Sequence, residues 1–278
     1  MPLAVEQIRR MRGGAQAHLM RCAAEDDEYY VVKFQNNPQG VRILANELLA
    51  TRLAARIGLP VPAAAVVEVR QELIEQTDDL VMQLGRGRAP CRAGFQFGSR
   101  YPGRPRETVV YDFLPQEHLR SVSNLADFCG MLVFDKWTCN TNGRQAIFLR
   151  AGGGALDRAQ IPYGDEKPYR AQMIDQGFCF NAGEWSFPDA PLRGLYARHC
   201  VYESVRGMEV FEPWITRIEN LDEGDCEEAA SEIPPDWYNG EQDALFALLE
   251  RLLVRRTMVR NLILSAWKST AQPFPNWT

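Results

Sequence analysis

The chain has 278 residues, 46% of them hydrophobic and 24% charged, with a formal net charge of −5. That length buries the core of one large domain or of two lobes sharing a cleft, and the acidic balance excludes broad electrostatic binding to nucleic acid. Seven cysteines without CxxC spacing and only three histidines, His18, His118 and His199, leave little material for a zinc site, a His-rich metal centre or a Ser-His-Asp machine.

The start, MPLAVEQIRRMRGG, is too polar for a secretory signal. No apolar run reaches the ~18 residues of a membrane helix, so no membrane partner is expected. Dispersed thiols fit a reducing compartment, and the cytoplasm is the expected location.

The first hundred residues read as a mixed α/β unit. QIRRM, HLMRC and YYVVKF are β-prone, with GGAQA as the turn between the first two and acidic AEDDE as an exposed hairpin connection before the third. From Val41 to Ile57, the apolar positions Ile43, Leu44, Leu48, Leu53 and Ile57 predict a helix that Gly58 and Pro60 end. AAAVVEV is a further strand. GRGRAP and, after a brief apolar FQF, SRYPGRPRE are the most loop-like stretches and the expected crossing between lobes.

Beyond Ser121 the pattern turns helical. Leu125 to Trp137 is apolar at helical spacing and runs into FDKWTCNTNGRQAIFLR, which reads as a helix end, a polar loop and a strand. AIFLR and YRAQMID are expected as two strands joined by the flexible AGGGALDRAQIPYGDEKP. Helices then dominate, ending in one long amphipathic run, DALFALLERLLVRRTMVRNLILSAW, with RRTMVR on its polar face. The expected fold class is α+β: a small β-rich lobe (1–100) before a larger helical lobe (101–278). Trp137, Trp185, Trp214 and Trp237 are scattered as core residues would be.

Four features carry chemistry. Lys33 lies in an apolar strand with Glu47 fourteen residues on in the first helix; a strand lysine holds nucleotide phosphates as a point charge, and a helix glutamate steadies it. An exposed lysine on an edge strand is the plainer alternative. Gly13 and Gly14 let backbone N–H groups approach phosphate oxygens, or simply make a hairpin turn. Asp175 ends a strand before Gln176-Gly177, where a carboxylate suits Mg²⁺ between phosphates or an ordinary Asp-x-Gly turn. The loop after Trp137 offers Asp135, Lys136, Asn140, Asn142, Arg144 and Gln145, in which amide oxygens suit a metal and Arg144 a transferring phosphoryl group. There, Asn-Gly also makes a plain turn, and Asp135-Lys136 a surface pair.

In order along the chain, MRGGAQAHLM, YYVVKF, NPQG, NELLATRLA, FGSR, FDKWTCNTNGRQAIF, YRAQMIDQGFCFNAGEW and FPDAPLRGLY resemble the HipA-like kinase group, a branch of the protein-kinase-like superfamily. The resemblance implies a two-lobed fold with ATP and Mg²⁺ in the cleft. It places Gly13, Gly14 and Gln16 in the phosphate-covering loop, Lys33 on the α/β-phosphates paired with Glu47, and Asp175 on the metal.

The better-known toxin kinases of the group carry a T-D-G-H-x-x-N pattern with an aspartate base. Here T-N-G-R-Q puts Asn142 at the aspartate position and Arg144 at the histidine, with Gln145 replacing the metal asparagine in a loop two residues shorter. An amide accepts no substrate proton, which leaves Asp135 as a substitute base. Two readings follow: a Mg-dependent phosphotransferase acting on an unknown protein or small molecule, and a pseudokinase-type nucleotide-binding or regulatory module. The group also brings a toxin context with a separate DNA-binding partner chain, while the acidic balance argues against direct nucleic-acid contact by this one.

Overall fold

The computed structural model describes residues 1–23, 27–150 and 168–278. Most of the expected AEDDE connection and nearly all of the AGGGALDRAQIPYGDEKP linker lie outside those residues. Strands β1 (Leu3–Arg10), β2 (His18–Ala23) and β3 (Glu28–Lys33) form where the alternating patterns predict them. Period-two alternation sends Tyr30 and Val32 into the interior, and Val31 and Lys33 to the opposite face.

Helix α1 (Arg42–Arg56) follows, then β4 (Ala64–Val69) and the one-turn α2 (Gln71–Glu75). Its C-terminus is a Schellman arrangement: Gly58 at φ 78° donates to Ala55 and Leu59 N–H reaches back to Ala54 O, both at 2.9 Å. GRGRAP is not a loop. It contributes to a hairpin of β5 (Val81–Leu84) and β6 (Gly87–Pro90), in which Leu84 faces Gly87 across a turn at Gly85 of φ 62°. FQF lies within β7 (Gly94–Arg100). Five strands close a barrel in the order β1-β2-β3-β7-β4, sealed by the parallel contact of Leu3 with Glu68.

The chain then crosses through residues 101–109 to β8 (Val110–Tyr111), the short α3 (Gln116–Leu119) and α4 (Asp127–Thr138). Strands β9 (Gln145–Arg150) and β10 (Tyr169–Ile174) pair antiparallel, Gln145 opposite Ile174, with β8 on the other edge of β9. Helices α5 (Glu212–Glu219), α6 (Glu223–Ala230), α7 (Gln242–Arg255) and α8 (Val259–Trp267) complete the molecule. The architecture is mixed α+β, β-rich first and helical after.

The expected single C-terminal helix is broken. A 3₁₀ turn at Arg256–Met258 separates α7 from α8, and Arg255 turns inward, donating to the Lys136 and Trp137 carbonyls and to Asp189. Three carbonyl and carboxylate acceptors hold that guanidinium, so RRTMVR is not one solvated face. Trp137, Trp185, Trp214 and Trp237 are all buried, as core residues.

The barrel has its own apolar cluster of Met20, Tyr30, Val32, Phe34, Val67 and Met82. Helix α1 does not belong to it. Leu44, Leu48, Leu49 and Leu53 join the large cluster that runs through α4, α7 and α8. Between the two cores lies an open cleft.

Candidate active site

A cavity of about 400 Å³ occupies this cleft, bounded by the Arg12–Ala17 turn above, α1 behind and the 141–145 loop below. Phe97, Ser99–Pro102 and Val110 line its other side, at the crossing from barrel to helices.

Lys33 is the centre of the site. Its Nζ donates to Glu47 Oε1 and, at 2.5 Å, to Asp175 Oδ1, so three groups far apart in sequence meet at one point. The side chains are 12%, 3% and 22% exposed, which leaves Asp175 the most accessible to the cavity. Burial opposes the lysine's charge, but the two carboxylates outweigh it and raise its pKa. Burial also raises the Glu47 pKa against the pull of Lys33; Asp175, against its own burial, is held below the ordinary carboxylate range by Lys33.

Two adjacent helix residues fasten α1 to the chain after β10. Glu47 accepts the backbone N–H of Gln176 at 3.0 Å and of Gly177 at 2.9 Å. Asn46 donates to the carbonyls of Gly177, Cys179 and Ala182 at 2.7–3.1 Å and accepts Trp185 Nε1 at 2.7 Å. Gly177 must be glycine because a Cβ there would lie 2.5 Å from Ile43 Cγ2. Asp175 itself takes φ 63°, a left-handed turn that swings its carboxylate back towards Lys33. Asn46 and Gln176 are functional neighbours that the sequence reading missed. The available signal was an asparagine inside an apolar helix face, where a polar side chain is tolerated only if bonded.

Gly13, at φ 127°, closes the turn by accepting Gln16 N–H at 3.1 Å. Gln16 lines the cavity, yet both ends of its amide are engaged by the backbone of Gln83, at 2.7 and 2.8 Å. It anchors the glycine turn to β5 rather than reaching towards a phosphate.

The 141–145 loop divides its residues. Asn142 and Gln145 line the cavity, and Gln145 Nε2 donates to Asp175 Oδ2 at 2.7 Å. Asn142 accepts the N–H of Gly143 and is held through its own N–H by Asn140 Oδ1 at 3.0 Å. Asp135 and Arg144 do not line the cavity. They form a buried ion pair, 0% and 1% exposed, with Arg144 Nε 2.8 Å from Asp135 Oδ2. Asn140 completes the carboxylate at 3.0 Å, and Arg144 also donates to Ile174 O at 2.8 Å.

The expectations of Asp135 as substitute base and Arg144 on the phosphoryl group are therefore corrected. Every oxygen of Asp135 is engaged beneath the loop, and burial beside that carboxylate keeps the guanidinium charged and internal. Their work is to brace the loop against the end of β10. Nor are Asp135 and Lys136 a surface pair: Lys136 is buried and donates to the carbonyls of Ala190 and Pro191.

The donor set fits a hard divalent ion shared with phosphates. Among the described residues no three His, Cys, Asp or Glu gather as a protein-only metal site. Mg²⁺ held jointly with a nucleotide needs only one or two protein oxygens, and Asp175 with the amide oxygen of Gln145 can supply them.

A family model described as HipA-like kinase matches residues 4–147 of this chain. No curated protein matches it. Among solved structures it is similar to the Golgi casein kinase with Mn/ADP bound, at 10% identity and a TM-score of 0.48, covering 97% of this chain and 73% of that one. It is similar also to a Helicobacter pylori proinflammatory kinase, CtkA, at 14% identity, TM-score 0.44, covering 96% and 98%. For hydra Fam20 with sugar the values are 10% identity, TM-score 0.39, and 100% and 87%.

Proposed function

This chain belongs to the HipA-like kinase family, and from that premise we propose that it binds ATP with Mg²⁺ between a β-rich lobe (1–100) and a helical lobe (101–278) of a kinase-like fold. We propose further that it transfers the γ-phosphoryl group to a hydroxyl of a protein or small molecule. The observation that carries this reading is Lys33, bonded at once to Glu47 and Asp175 on the wall of an open cavity.

In that reading Lys33 meets the α/β-phosphates as a point charge whose position Glu47 fixes. The Gly13-Gly14 turn covers the phosphates with backbone N–H groups. Asp175 and Gln145 would hold Mg²⁺, which supplies charge neutralisation at the phosphate oxygens. Asn142 can orient an acceptor hydroxyl by hydrogen bonding but takes no proton from it. A loose phosphoryl-transfer transition state asks mainly for alignment and charge neutralisation, which this site has the groups to provide. A reducing, cytoplasmic setting agrees with seven unpaired thiols, all but Cys200 buried, and among the described residues no helix is long and apolar enough to cross a membrane.

One observation favours a second reading, a pseudokinase-type nucleotide-binding module. Asn142 lines the cavity where the family's base belongs, and Asp135 is sealed away from it. Titration with Mg·ATP by calorimetry, followed by transfer assays with γ-labelled ATP, separates the two. The phosphotransferase reading expects binding, transfer or self-phosphorylation by the wild type, and loss of at least about a hundredfold in Lys33→Met. Binding without transfer, with turnover appearing only in Asn142→Asp, establishes the second reading instead. There, a restored carboxylate base contributes on the order of 10²–10⁴ in rate.

A further inference from the structure

We propose that Gln39, in the loop between β3 and α1, contacts a phosphate of the bound nucleotide, and that residue 14 is glycine in order to admit it. This rests on the nucleotide reading above and adds to it a residue from outside the glycine turn.

The loop that carries Gln39 is held from within. Asn37, itself buried, donates through Nδ2 to Phe34 O at 2.8 Å and Gly40 O at 3.2 Å, and its Oδ1 accepts the N–H of Gln39 at 2.9 Å. The backbone at Gln39 is thereby set without help from its side chain. That side chain extends into the cavity wall, where Nε2 lies 2.9 Å from the position a Cβ on Gly14 would take. Its Oε1 is buried and has no hydrogen-bond partner among the described residues.

Gln16, on the same glycine turn, shows what a structural glutamine looks like here: both amide ends are bonded to the backbone of Gln83. Gln39 has no such task, and a buried amide oxygen without a donor is a cost that a structural side chain would not carry. The two glycines also differ. Gly13 needs its left-handed φ of 127°, whereas Gly14 is absent from the positive-φ positions, so its backbone suits any residue. What Gly14 supplies is room, and the occupant of that room is the nitrogen end of the Gln39 amide. Phosphate oxygens at neutral pH only accept, and this nitrogen is a two-proton donor beside the turn that covers the phosphates. Being neutral, it adds a hydrogen bond without altering the charge balance around Lys33.

The test titrates the full chain with Mg·ATP, Mg·ADP and adenosine. The proteins are wild type, Gln39→Ala, Gln39→Glu, Gly14→Ala and the Gly14→Ala/Gln39→Ala double variant, with thermal unfolding of each ligand-free protein as a folding control. Gln39→Ala is expected to weaken ATP and ADP by about tenfold, the worth of one hydrogen bond to a charged group, and to leave adenosine unchanged. Gln39→Glu weakens both nucleotides further by repulsion. Gly14→Ala weakens ATP in the wild-type background but has no added effect once Gln39 is alanine. Unchanged ATP affinity in Gln39→Ala, an equal loss for adenosine, or additive effects of the two substitutions overturns the proposal while the nucleotide reading stands. A wild type that binds none of the three ligands overturns both.

Discussion

The same two side chains can do opposite work depending on what surrounds them, as the carboxylates of this protein show. Asp175 meets a lysine at the edge of a cavity and stays partly accessible, whereas Asp135 meets an arginine inside the fold and is sealed. Lys33, Glu47 and Asp175 were legible from their order along the chain. The fate of Asp135 was not, because it depends on the direction of the Arg144 side chain. His18 makes a further residue-scale point, inside the barrel. Burial, and then the nearby charge of Arg10, lower its pKa to about 4 against the opposing pull of Asp79. Gln7 Nε2 reaches its Nδ1 at 2.9 Å, which leaves the ring neutral with its proton on Nε2, towards Cys91. The unfolded chain binds this proton near pH 6.5 and the folded chain only near pH 4, so stability is unaffected above 6.5 and falls as pH drops between these values. The loss should be on the order of 2–3 kcal/mol. Urea midpoints measured from pH 7 to pH 4 should therefore fall more steeply in the wild type than in His18→Gln.

At the scale of elements, α1 and the segment after β10 are one mechanical unit. Asn46 ties three carbonyls and an indole N–H to the helix one residue before Glu47. Asn46→Ala leaves those buried groups unpaired, at about 1–3 kcal/mol each where water cannot reach them. It should lower the maximal rate of any transfer more than it lowers nucleotide affinity, since Asp175 is displaced while the glycine turn is not. Steady-state kinetics beside calorimetry check that split. In α4, Gly130 faces the indole of Trp214, and a Cβ there would lie 2.4–2.6 Å from three ring atoms. Helix propensity favours alanine by roughly 1 kcal/mol, but overpacking a rigid ring costs about 1–3 kcal/mol. Gly130→Ala should therefore lower the denaturation midpoint. The sequence marked most elements and missed two: the β5–β6 hairpin, whose anchor is Gln16 nearly seventy residues away, and the break between α7 and α8, forced by Arg255 turning inward to Asp189.

For the whole molecule, the boundary between lobes is not a boundary between cores. Helix α1 belongs by sequence to the first hundred residues, yet its leucines pack with α4, α7 and α8. A fragment of residues 1–100 should therefore expose that apolar face and aggregate or stay unfolded. Co-expression with 101–278 should recover a soluble complex, and size-exclusion chromatography of the two preparations decides it. What the sequence determined by itself was local. The period-two strands, the period-3.6 helix with its glycine stop and the types of groups available for phosphate chemistry all follow from neighbours a few residues apart. The tertiary structure alone decided which of those groups share a cavity. Lys33 and Asp175 are 142 residues apart, and only the packing of α1 into the helical core brings them within a hydrogen bond. It also decided that Asp135 would be buried and Gln39 left unbonded, because desolvation and partner geometry belong to the folded chain and leave no mark on spacing or composition.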